Sequence, residues 1–424
     1  MTHDSTERKQ LLRTQIANLK EQIYQERITA YFISTLKLSK NAPILFLFIV
    51  ISTISLIVSC NLHIENFQKK TVNGVSNATN ITLPIQSSPP SSFGSLLPGQ
   101  QIWKNGVSSF LFGTNNTQAW SDDNIETDPY NIIQPSLKAA GLTLMRSFFF
   151  HHSLADNHRT SMAEIERRLK TIENSGMVCL GVLQGIRTDP SNPGSDPISD
   201  TDFDFAKQVV AYAGNRCNLY EIGNEPDIGD DQLTIQQYLQ KWNEFVPTLR
   251  TINPNAKFIG PATYNNQGNH CTYTNEQSYC FMRKFLQGVK ASGVLPDAVS
   301  FHWYPCSTND PKTCLVQTSS YAMVTNEVKG WVHTDLGKDV PVGITEWNMD
   351  PGSNNTLGDN SQFMHDFTVA ALKQMISAHL DFANQFDAQD YSGYGSLDMF
   401  DINKNDQPKT QFTAIKDLIS QYKP

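Results

Sequence analysis

Several common signatures of cofactor, metal and nucleic-acid chemistry are missing from this sequence. The formal net charge is −8 over 424 residues, so there is no basic excess of the kind that nucleic-acid binding requires. No C-x-x-C or H-E-x-x-H zinc pattern occurs, and neither a Walker loop nor a G-x-G-x-x-G phosphate loop follows the first predicted strand. The sequence contains no internal repeat. These absences argue against nucleic acid as a partner and give no sign of a zinc or nucleotide site.

Charged residues are also missing from one long stretch near the N-terminus. Residues 41–62 contain none, and most of them are Leu, Ile, Val or Phe. Such a stretch is long enough to cross a bilayer as a helix. Lys37 and Lys40 precede it, which favours a cytoplasmic N-terminus and an external C-terminal body. We therefore predict a cytoplasmic helical tail at residues 1–41 and a single-pass transmembrane anchor at residues 42–62.

A second interpretation of the same stretch involves lipidation. Ile57, Val58 and Ser59 precede Cys60 as in a bacterial lipobox, whose Cys is lipidated after cleavage. The region before the apolar stretch is far longer than in a usual signal peptide, so we favour the uncleaved anchor. Both interpretations place the body of the protein outside the cytoplasm, held at the cell membrane.

The composition changes twice after the predicted anchor. Residues 63–100 are rich in Ser, Pro, Asn and Thr, and we predict a disordered linker because such a segment buries too little apolar area to fold. Beyond it, short apolar runs alternate with helical periodicity. The candidate strands are Ser109–Thr114, Leu142–Phe150, Met177–Gln184, Leu219–Asn224, Lys257–Ala262, Ala298–Tyr304, Pro341–Trp347 and Leu380–Phe386. Eight strands, each followed by a helix, predict an α/β fold, a (β/α)8 TIM barrel over residues 101–424, with a doubly wound open sheet as the alternative.

The cysteines are spaced so that local disulfides are expected in an external protein. Two close pairs lie in the loops after the fifth and sixth strands, namely Cys271/Cys280 and Cys306/Cys314. Cys179 and Cys217 lie in or near adjacent strands, where they could form a third pair or remain buried thiols.

Two of the predicted strands end in a glutamate. The fourth runs into Gly-Asn-Glu-Pro at residues 223–226, and the seventh ends in Thr-Glu-Trp-Asn at residues 345–348. These strands lie roughly across a barrel from each other, so Glu225 and Glu346 can converge over its axis at the end where barrel enzymes do their chemistry. Two convergent carboxyls are what glycoside hydrolysis needs. Strict alternation along the strand would also point Ile344 inward with Glu346.

In this strand order, the two motifs resemble the retaining glycoside hydrolases of clan A. The resemblance covers residues 101–424 and implies that Glu225, after strand four, is the acid/base and that Glu346, on strand seven, is the nucleophile. It further implies that Asn224 binds the sugar 2-hydroxyl. Arg146 matches the residue that contacts the nucleophile, and a nearby cation lowers the pKa of a carboxyl as a nucleophile requires.

Other matching residues lie on strand six and just after the nucleophile. His302 and Tyr304 match the His-x-Tyr of the clan, which implies a hydrogen bond from Tyr304 to the nucleophile with His302 close by. Trp347 is a further candidate for substrate binding because aromatic rings pack on sugar faces, although it could equally face the helices. Arg146 could instead pair with Glu221 lower in the barrel, or serve both partners.

The sequence departs from the clan pattern at its C-terminal end. Many clan members carry a Trp at the end of strand eight, whereas residues 382–386 read Phe-Ala-Asn-Gln-Phe. The β-xylosidases, arabinofuranosidases and heparanase-like enzymes add a β-domain after the barrel, and we expect none in this chain. The sugar therefore stays open between xylosidase-like and heparanase-like substrates.

Taken together, these patterns predict a membrane-anchored, extracellular glycosidase. It would hydrolyse O-glycosidic bonds of an oligo- or polysaccharide by double displacement with two Glu residues, without a metal or an organic cofactor. One alternative is a carbohydrate-binding or adhesive protein on an inactive barrel. Another is a transglycosylase that uses the same site and passes the sugar to another sugar instead of to water.

Overall fold

The structure covers the C-terminal part of the chain. It is a computed structural model that describes residues 96–116, 131–149, 161–183, 200–228, 233–264, 281–306, 308–350, 356–389 and 397–424. The predicted tail and anchor, most of the linker, Cys60 and the pair Cys271/Cys280 lie outside these residues. Within the described ranges, no helix is both long enough and apolar enough to cross a membrane.

Eight parallel strands form a closed barrel, in which each strand pairs with its sequence neighbours and the first pairs with the eighth. The strands are β1 (Gly113–Asn116), β2 (Leu144–Phe148), β3 (Val178–Leu183), β4 (Leu219–Ile222), β5 (Lys257–Thr263), β6 (Ala298–Trp303), β7 (Val342–Trp347) and β8 (Phe382–Gln385). The predicted (β/α)8 barrel is confirmed. Closure of the sheet excludes the doubly wound alternative, which has two open edges.

Helices connect the strands, and two of them begin with capping boxes. They are α1 (Ile133–Ala140), α2 (Met162–Asn174), α3 (Asp200–Ala213), α4 (Ile235–Ile252), α5 (Phe281–Ser292), α6 (Pro311–Gln317), α7 (Ser320–Trp331), α8 (Ser361–Ser377) and α9 (Thr410–Tyr422). Ser161 caps α2 with Glu164, and Thr234 caps α4 with Gln237, so the first free backbone N–H groups of both helices are satisfied. Two short antiparallel strands, β9 (Phe400–Asp401) and β10 (Gln407–Pro408), follow β8.

The first strand begins later than its apolar run predicts. The expected strand was Ser109–Thr114, but residues Ser109–Leu111 form a 3-10 turn and β1 starts at Gly113. The hydroxyl of Ser108 accepts a hydrogen bond from the backbone N–H of Phe110 at 3.2 Å. This side-chain cap favours a helical turn over an extended chain, so the strand forms only after it.

The N-terminal end of the barrel interior is filled by apolar side chains. They form a cluster separate from the larger core between strands and helices, and its members are Leu97, Phe110, Leu144, Leu180, Leu219, Ile259, Ala298 and Phe382. Six of them come from the strands, whereas Leu97 and Phe110 precede β1. Leu97 is 4% exposed although it lies within the segment predicted as linker, so barrel packing begins before residue 101. The buried polar groups of Arg146, Glu221 and Glu346 lie above this apolar layer, toward the C-terminal end of the strands.

A bulge in β7 changes which side chains point into the barrel. Ile344 was expected to point inward, but it packs in the outer core, and Thr345 instead reaches the interior carboxylate of Glu221. Along β6, Phe301 pairs with Ile344 and the next residue, His302, pairs with Glu346, so β7 contains one extra residue. Such an insertion breaks strict alternation. It lets two successive side chains, those of Thr345 and Glu346, make contacts inside the barrel.

Two disulfides lie within the described residues. The expected bridge between Cys306 and Cys314 joins the loop after β6 to α6. Cys179 on β3 and Cys217 before β4 also form a bridge, which settles the choice between a third pair and buried thiols.

Candidate active site

Glu225, three residues after β4, and Glu346, near the end of β7, come together at the C-terminal mouth of the barrel. One carboxylate oxygen of Glu225, one of Glu346 and a ring nitrogen of His302 all lie within 4.8 Å of one another. Glu225 follows β4, Glu346 lies on β7 and His302 lies on β6, so the closed barrel is what brings them together. This convergence is the arrangement that the two sequence motifs predict.

Arg146 on β2 lies beneath this pair and binds four side chains. Its Nε donates to Glu221 Oε2 at 2.6 Å, and its Nη1 donates to Glu346 Oε1 at 2.7 Å. Nη1 also donates to Asn115 Oδ1 at 3.0 Å, and Nη2 donates to Asn224 Oδ1 at 2.7 Å. The two expected roles of Arg146, contact with the proposed nucleophile and pairing with Glu221, are therefore both present.

The charges around Arg146 compensate for its complete burial. Burial alone would lower the pKa of Arg146, but Glu221 and Glu346 outweigh it and raise that pKa above its ordinary value. Glu221 is likewise fully buried, and its Oε1 accepts hydrogen bonds from Ser300 Oγ at 2.5 Å and Thr345 Oγ1 at 2.9 Å. A buried ion is tolerated only when its partners are this complete.

Glu346 receives a hydrogen bond at each carboxylate oxygen. Oε1 accepts from Arg146, and Oε2 accepts from the hydroxyl of Tyr304 at 3.0 Å, which is the hydrogen bond expected from the sequence. Burial and then Glu346 raise the pKa of Tyr304 well above its ordinary value, so Tyr304 keeps the proton that it donates. Donors on both oxygens stabilise a negative charge on Glu346.

Glu225 is in a different environment from Glu346. Its side chain is 22% exposed against 8% for Glu346, and its Oε1 lies 2.7 Å from Nδ1 of His302. Glu225 has a backbone φ of 45°, a left-handed conformation that is uncommon for a residue other than glycine. Its backbone N–H donates to the carbonyl of Ala262 on β5 at 2.9 Å, which helps to hold this conformation.

His302 is neutral near neutral pH. Complete burial lowers its pKa to about 4, although Glu346 acts in the opposite direction. Its Nδ1 contacts Glu225 and lies 3.5 Å from Glu346 Oε2, while Nε2 has no hydrogen-bond partner among the described residues. We place the N–H on Nδ1, because a buried N–H left unpaired at Nε2 would cost more than an unpaired acceptor.

Trp347 is not brought to this site. It is 1% exposed and its ring packs edge-on against Tyr321 of α7 with centroids 6.2 Å apart. The side chain thus faces the helices, the alternative that the sequence left open. Regular pairing with β6 resumes after the β7 bulge, where Glu346 pairs with His302 and Trp347 with Trp303. Successive side chains of a strand point to opposite faces, so Trp347 points outward while Glu346 points inward.

The group of Glu225, His302 and Glu346 has the composition of a metal site but not its charge balance. Both oxygens of Glu346 already accept hydrogen bonds, one of them from the Arg146 cation at 2.7 Å. A divalent cation would have to bind beside that positive charge. We therefore assign no metal to the group, and the absence of a metal or cofactor requirement stays a prediction.

A known family model matches the part of the chain that contains both glutamates. Residues 199–389 match the family model described as the glycosyl hydrolase catalytic core. Over these residues the chain is similar to that catalytic core. They contain β4 to β8 with both glutamates, so the glycosidase class and the resemblance predicted from the two motifs are confirmed. A comparison with curated proteins gave no significant match.

Solved glycosidase structures share the fold of this core. A glucosidase from Croceicoccus marinus aligns with a TM-score of 0.53 and 19% identity over 74% of this chain and 67% of its own. For a monomeric beta-xylosidase from Caulobacter crescentus, the values are 0.55 and 14% over 73% and 68%. For a family 51 alpha-L-arabinofuranosidase from Bifidobacterium longum, they are 0.51 and 13% over 73% and 72%. At these identities the likeness concerns the barrel and not the substrate.

Sequence analysis did not single out three polar residues near the mouth of the barrel, namely Asp227, Tyr264 and Asp350. The backbone N–H of Tyr264, just after β5, donates to Asp227 Oδ1 at 2.8 Å. Burial raises the pKa of Asp227 to about 7, and Glu225 adds to the increase. Burial also raises the pKa of Tyr264, with further contributions from Glu225, Asp350, Asp227 and Glu346. These three residues follow strands four, five and seven within a few positions, and that placement was the signal by which the sequence could have identified them.

We expect Glu221→Gln to destabilise the fold strongly. The substitution removes one of the two charges that compensate the buried Arg146, and breaking a buried pair costs about 3–5 kcal/mol. Glu173→Gln is the matched control, because Glu173 also pairs with an arginine, Arg216 at 2.6 Å, but on a side chain that is 47% exposed. Its loss should stay below about 1 kcal/mol. Urea unfolding measures both values, and equal losses would contradict the role given to Glu221.

We also expect Asp227→Asn to raise the free energy of unfolding, relative to the wild-type chain, by an amount that grows as pH rises. A carboxyl whose pKa is raised to about 7 on folding binds more protons in the folded state, so its contribution to stability falls between the unfolded pKa and pH 7. Asn does not titrate, so the variant does not lose stability in this way. Because water still reaches the side chain, we expect a gain of about 1–2 kcal/mol at pH 8 over that at pH 4.5, from about 1.4 kcal/mol for each pKa unit.

Unfolding of both variants in urea at the two pH values tests this pH dependence. Asp204→Asn is the control, since the Asp204 side chain is 60% exposed and should show no growing advantage. An advantage of Asp227→Asn that is equal at both pH values would contradict the raised pKa.

Proposed function

We propose that this chain is a retaining glycosidase that cleaves O-glycosidic bonds of an oligo- or polysaccharide by double displacement. The observation that carries the proposal is the approach of Glu225 and Glu346, whose nearest oxygens lie within 4.8 Å. Retaining enzymes have carboxyl groups about 5–5.5 Å apart, whereas inverting enzymes leave about 6.5–9.5 Å for a water molecule. The spacing supports direct attack by one carboxylate on the sugar.

The surroundings of the two carboxyls support a division of roles. Glu346 has a cation and a hydroxyl donor on its two oxygens, which suits a group that must be ionised before it attacks. Glu225 is the more exposed carboxyl, and its Oε1 lies beside the neutral imidazole of His302 and not beside a cation, which suits a group that must carry a proton. We therefore assign Glu346 as the nucleophile and Glu225 as the acid/base.

The reaction then proceeds in two steps. In the first, Glu346 attacks the anomeric carbon while Glu225 transfers its proton to the leaving oxygen, so the glycosidic bond breaks and a glycosyl ester forms. In the second, Glu225 takes a proton from water, which attacks the anomeric carbon and releases Glu346. The N–H of His302 stabilises Glu225 in the interval when it is ionised.

Asn224 is proposed to position the sugar between these groups. Its Oδ1 is fixed by Arg146 at 2.7 Å, so the amide plane is held by the same guanidinium that binds Glu346. The Nδ2 group is the donor that this leaves for a sugar hydroxyl, in agreement with the 2-hydroxyl contact implied by the sequence resemblance. Hydrogen bonds at that hydroxyl strengthen in the transition state of glycosidases.

We expect Glu346→Ala to lower kcat/KM by about 10³-fold or more on aryl glycosides, because it removes the nucleophile. To test this, kcat/KM of the variant and of the wild-type chain is compared on a panel of aryl glucosides, xylosides and arabinofuranosides. A 2-deoxy-2-fluoro glycoside should label Glu346, as read by peptide mass spectrometry, and proton NMR should show a product that keeps its anomeric configuration.

Each arm of this experiment can reject the assignment. Label on another residue, or full activity in Glu346→Ala, would overturn the role of Glu346. Glycan binding without any cleavage by the wild-type chain would favour a binding protein on an inactive barrel. Oligosaccharides longer than the substrate would favour a transglycosylase, in which a sugar replaces water in the second step.

We further propose that residues 42–62 anchor the glycosidase in the membrane with its core outside the cell. The support is the uncharged apolar sequence of this stretch and the basic residues before it. The expected result is that the full chain stays in the membrane pellet after alkaline carbonate extraction, and that a chain starting at Leu96 does not. Cys60→Ser should leave this behaviour unchanged, and release of that variant would instead support a lipoprotein.

A further inference from the structure

The segment that carries Glu225 has an unusual backbone. Gly223 has a φ of 84° and Glu225 a φ of 45°, so two of three successive residues are left-handed. Glycine adopts this conformation freely, but a residue with a Cβ is strained in it. Contacts from the rest of the fold must therefore hold Glu225 in place.

Two hydrogen bonds tie this segment to the end of β5. The first runs from the backbone N–H of Glu225 to the carbonyl of Ala262 at 2.9 Å. The second runs from the backbone N–H of Tyr264 to Oδ1 of Asp227 at 2.8 Å. The first is a backbone contact that survives any side-chain change, whereas the second depends on the side chain of Asp227 alone.

The nucleophile proposed above is held by different elements. Glu346 lies within β7 and is bound by Arg146 of β2 and Tyr304 after β6. Asp227 contacts none of these groups through the hydrogen bonds described for it. A change at Asp227 therefore acts on the segment of Glu225 and leaves the support of Glu346 intact.

We propose that Asp227 is a positioning residue for the proton donor. Its carboxyl ties the segment after β4 to the end of β5, and this contact holds the Glu225 carboxyl beside His302, where a leaving oxygen can receive its proton. The inference rests on the proposed role of Glu225. It adds a residue that touches neither substrate nor reacting atoms but determines whether proton transfer is aligned with attack by Glu346.

A comparison of leaving groups tests this role. A glycoside with a sugar or alkyl leaving group needs a proton from Glu225, whereas a dinitrophenyl glycoside leaves without one. Asp227→Ala should lower kcat/KM by about 10²-fold for the first substrate and by less than about 5-fold for the second, because acid catalysis is worth about 10²–10⁴-fold. Asp227→Asn keeps an oxygen that can accept from Tyr264 N–H and should recover most of the loss.

Asp297, which lies just before β6, provides a matched control at the other end of β5. Its Oδ2 accepts a hydrogen bond from the backbone N–H of Phe258 at 2.9 Å, the same kind of contact at the opposite end of β5. Asp297→Ala should lower activity on the two substrates by the same factor, if at all. An equal loss on both substrates in Asp227→Ala would reduce Asp227 to a structural role and overturn the proposal. Should Asp227→Ala fail to fold, Asp227→Ser replaces it under the same criteria.

Amide hydrogen exchange separates failure of this proposal from failure of the proposed function. Exchange at Tyr264 N–H and at residues 224–228 should be at least about 10-fold faster in Asp227→Ala than in the wild-type chain, and close to wild type in Asp227→Asn. A wild-type chain without activity on any glycoside would reject the glycosidase mechanism, yet this measurement would still decide whether Asp227 holds the segment. Unchanged exchange in Asp227→Ala would reject the positioning role itself.

Discussion

The buried guanidinium of Arg146 is the constraint on which the rest of the site depends. Removing such a cation from water costs several kcal/mol, and only near-complete pairing offsets this cost. Four side chains from β1, β4, β7 and the segment after β4 supply that pairing, so the positions of Glu346 and Asn224 are fixed by the same group. Glu221 supplies the second negative charge, which leaves Glu346 able to change its bonding without stranding Arg146.

The two carboxyls of the site are supported in physically different ways. Glu346 lies within β7, and its hydrogen-bond donors come from β2 and from the residue that follows β6. The strands of the barrel therefore fix its position. Glu225 lies three residues beyond the end of β4, on a strained backbone that depends on contacts with the end of β5. A group that attacks carbon needs a fixed position, whereas a group that exchanges protons with both a sugar and water benefits from exposure to the mouth.

The sequence predicted what depends on local pattern and missed what depends on neighbours in space. The apolar runs located the barrel strands, and the two glutamate motifs located the two carboxyls that the barrel brings together. The start of β1 was misplaced because one capping hydroxyl, that of Ser108, outweighed β propensity. The orientation of Ile344 depends on an extra residue opposite β6, which no single-strand pattern reveals. Asp227 was missed because its partner, Tyr264 N–H, belongs to another strand and carries no signature of its own.

The apolar layer at the N-terminal end of the barrel limits the routes by which a sugar can enter and leave the site. Side chains from six strands, with Leu97 and Phe110 beneath them, fill the interior at that end, so the described residues leave no passage through the barrel from one face to the other. In the proposed reaction, the substrate and both products must therefore use the C-terminal mouth, where Glu225 and Glu346 lie. A released sugar thus competes with the next substrate for the same space, and competitive product inhibition is the natural kinetic signature of such a dead-end site.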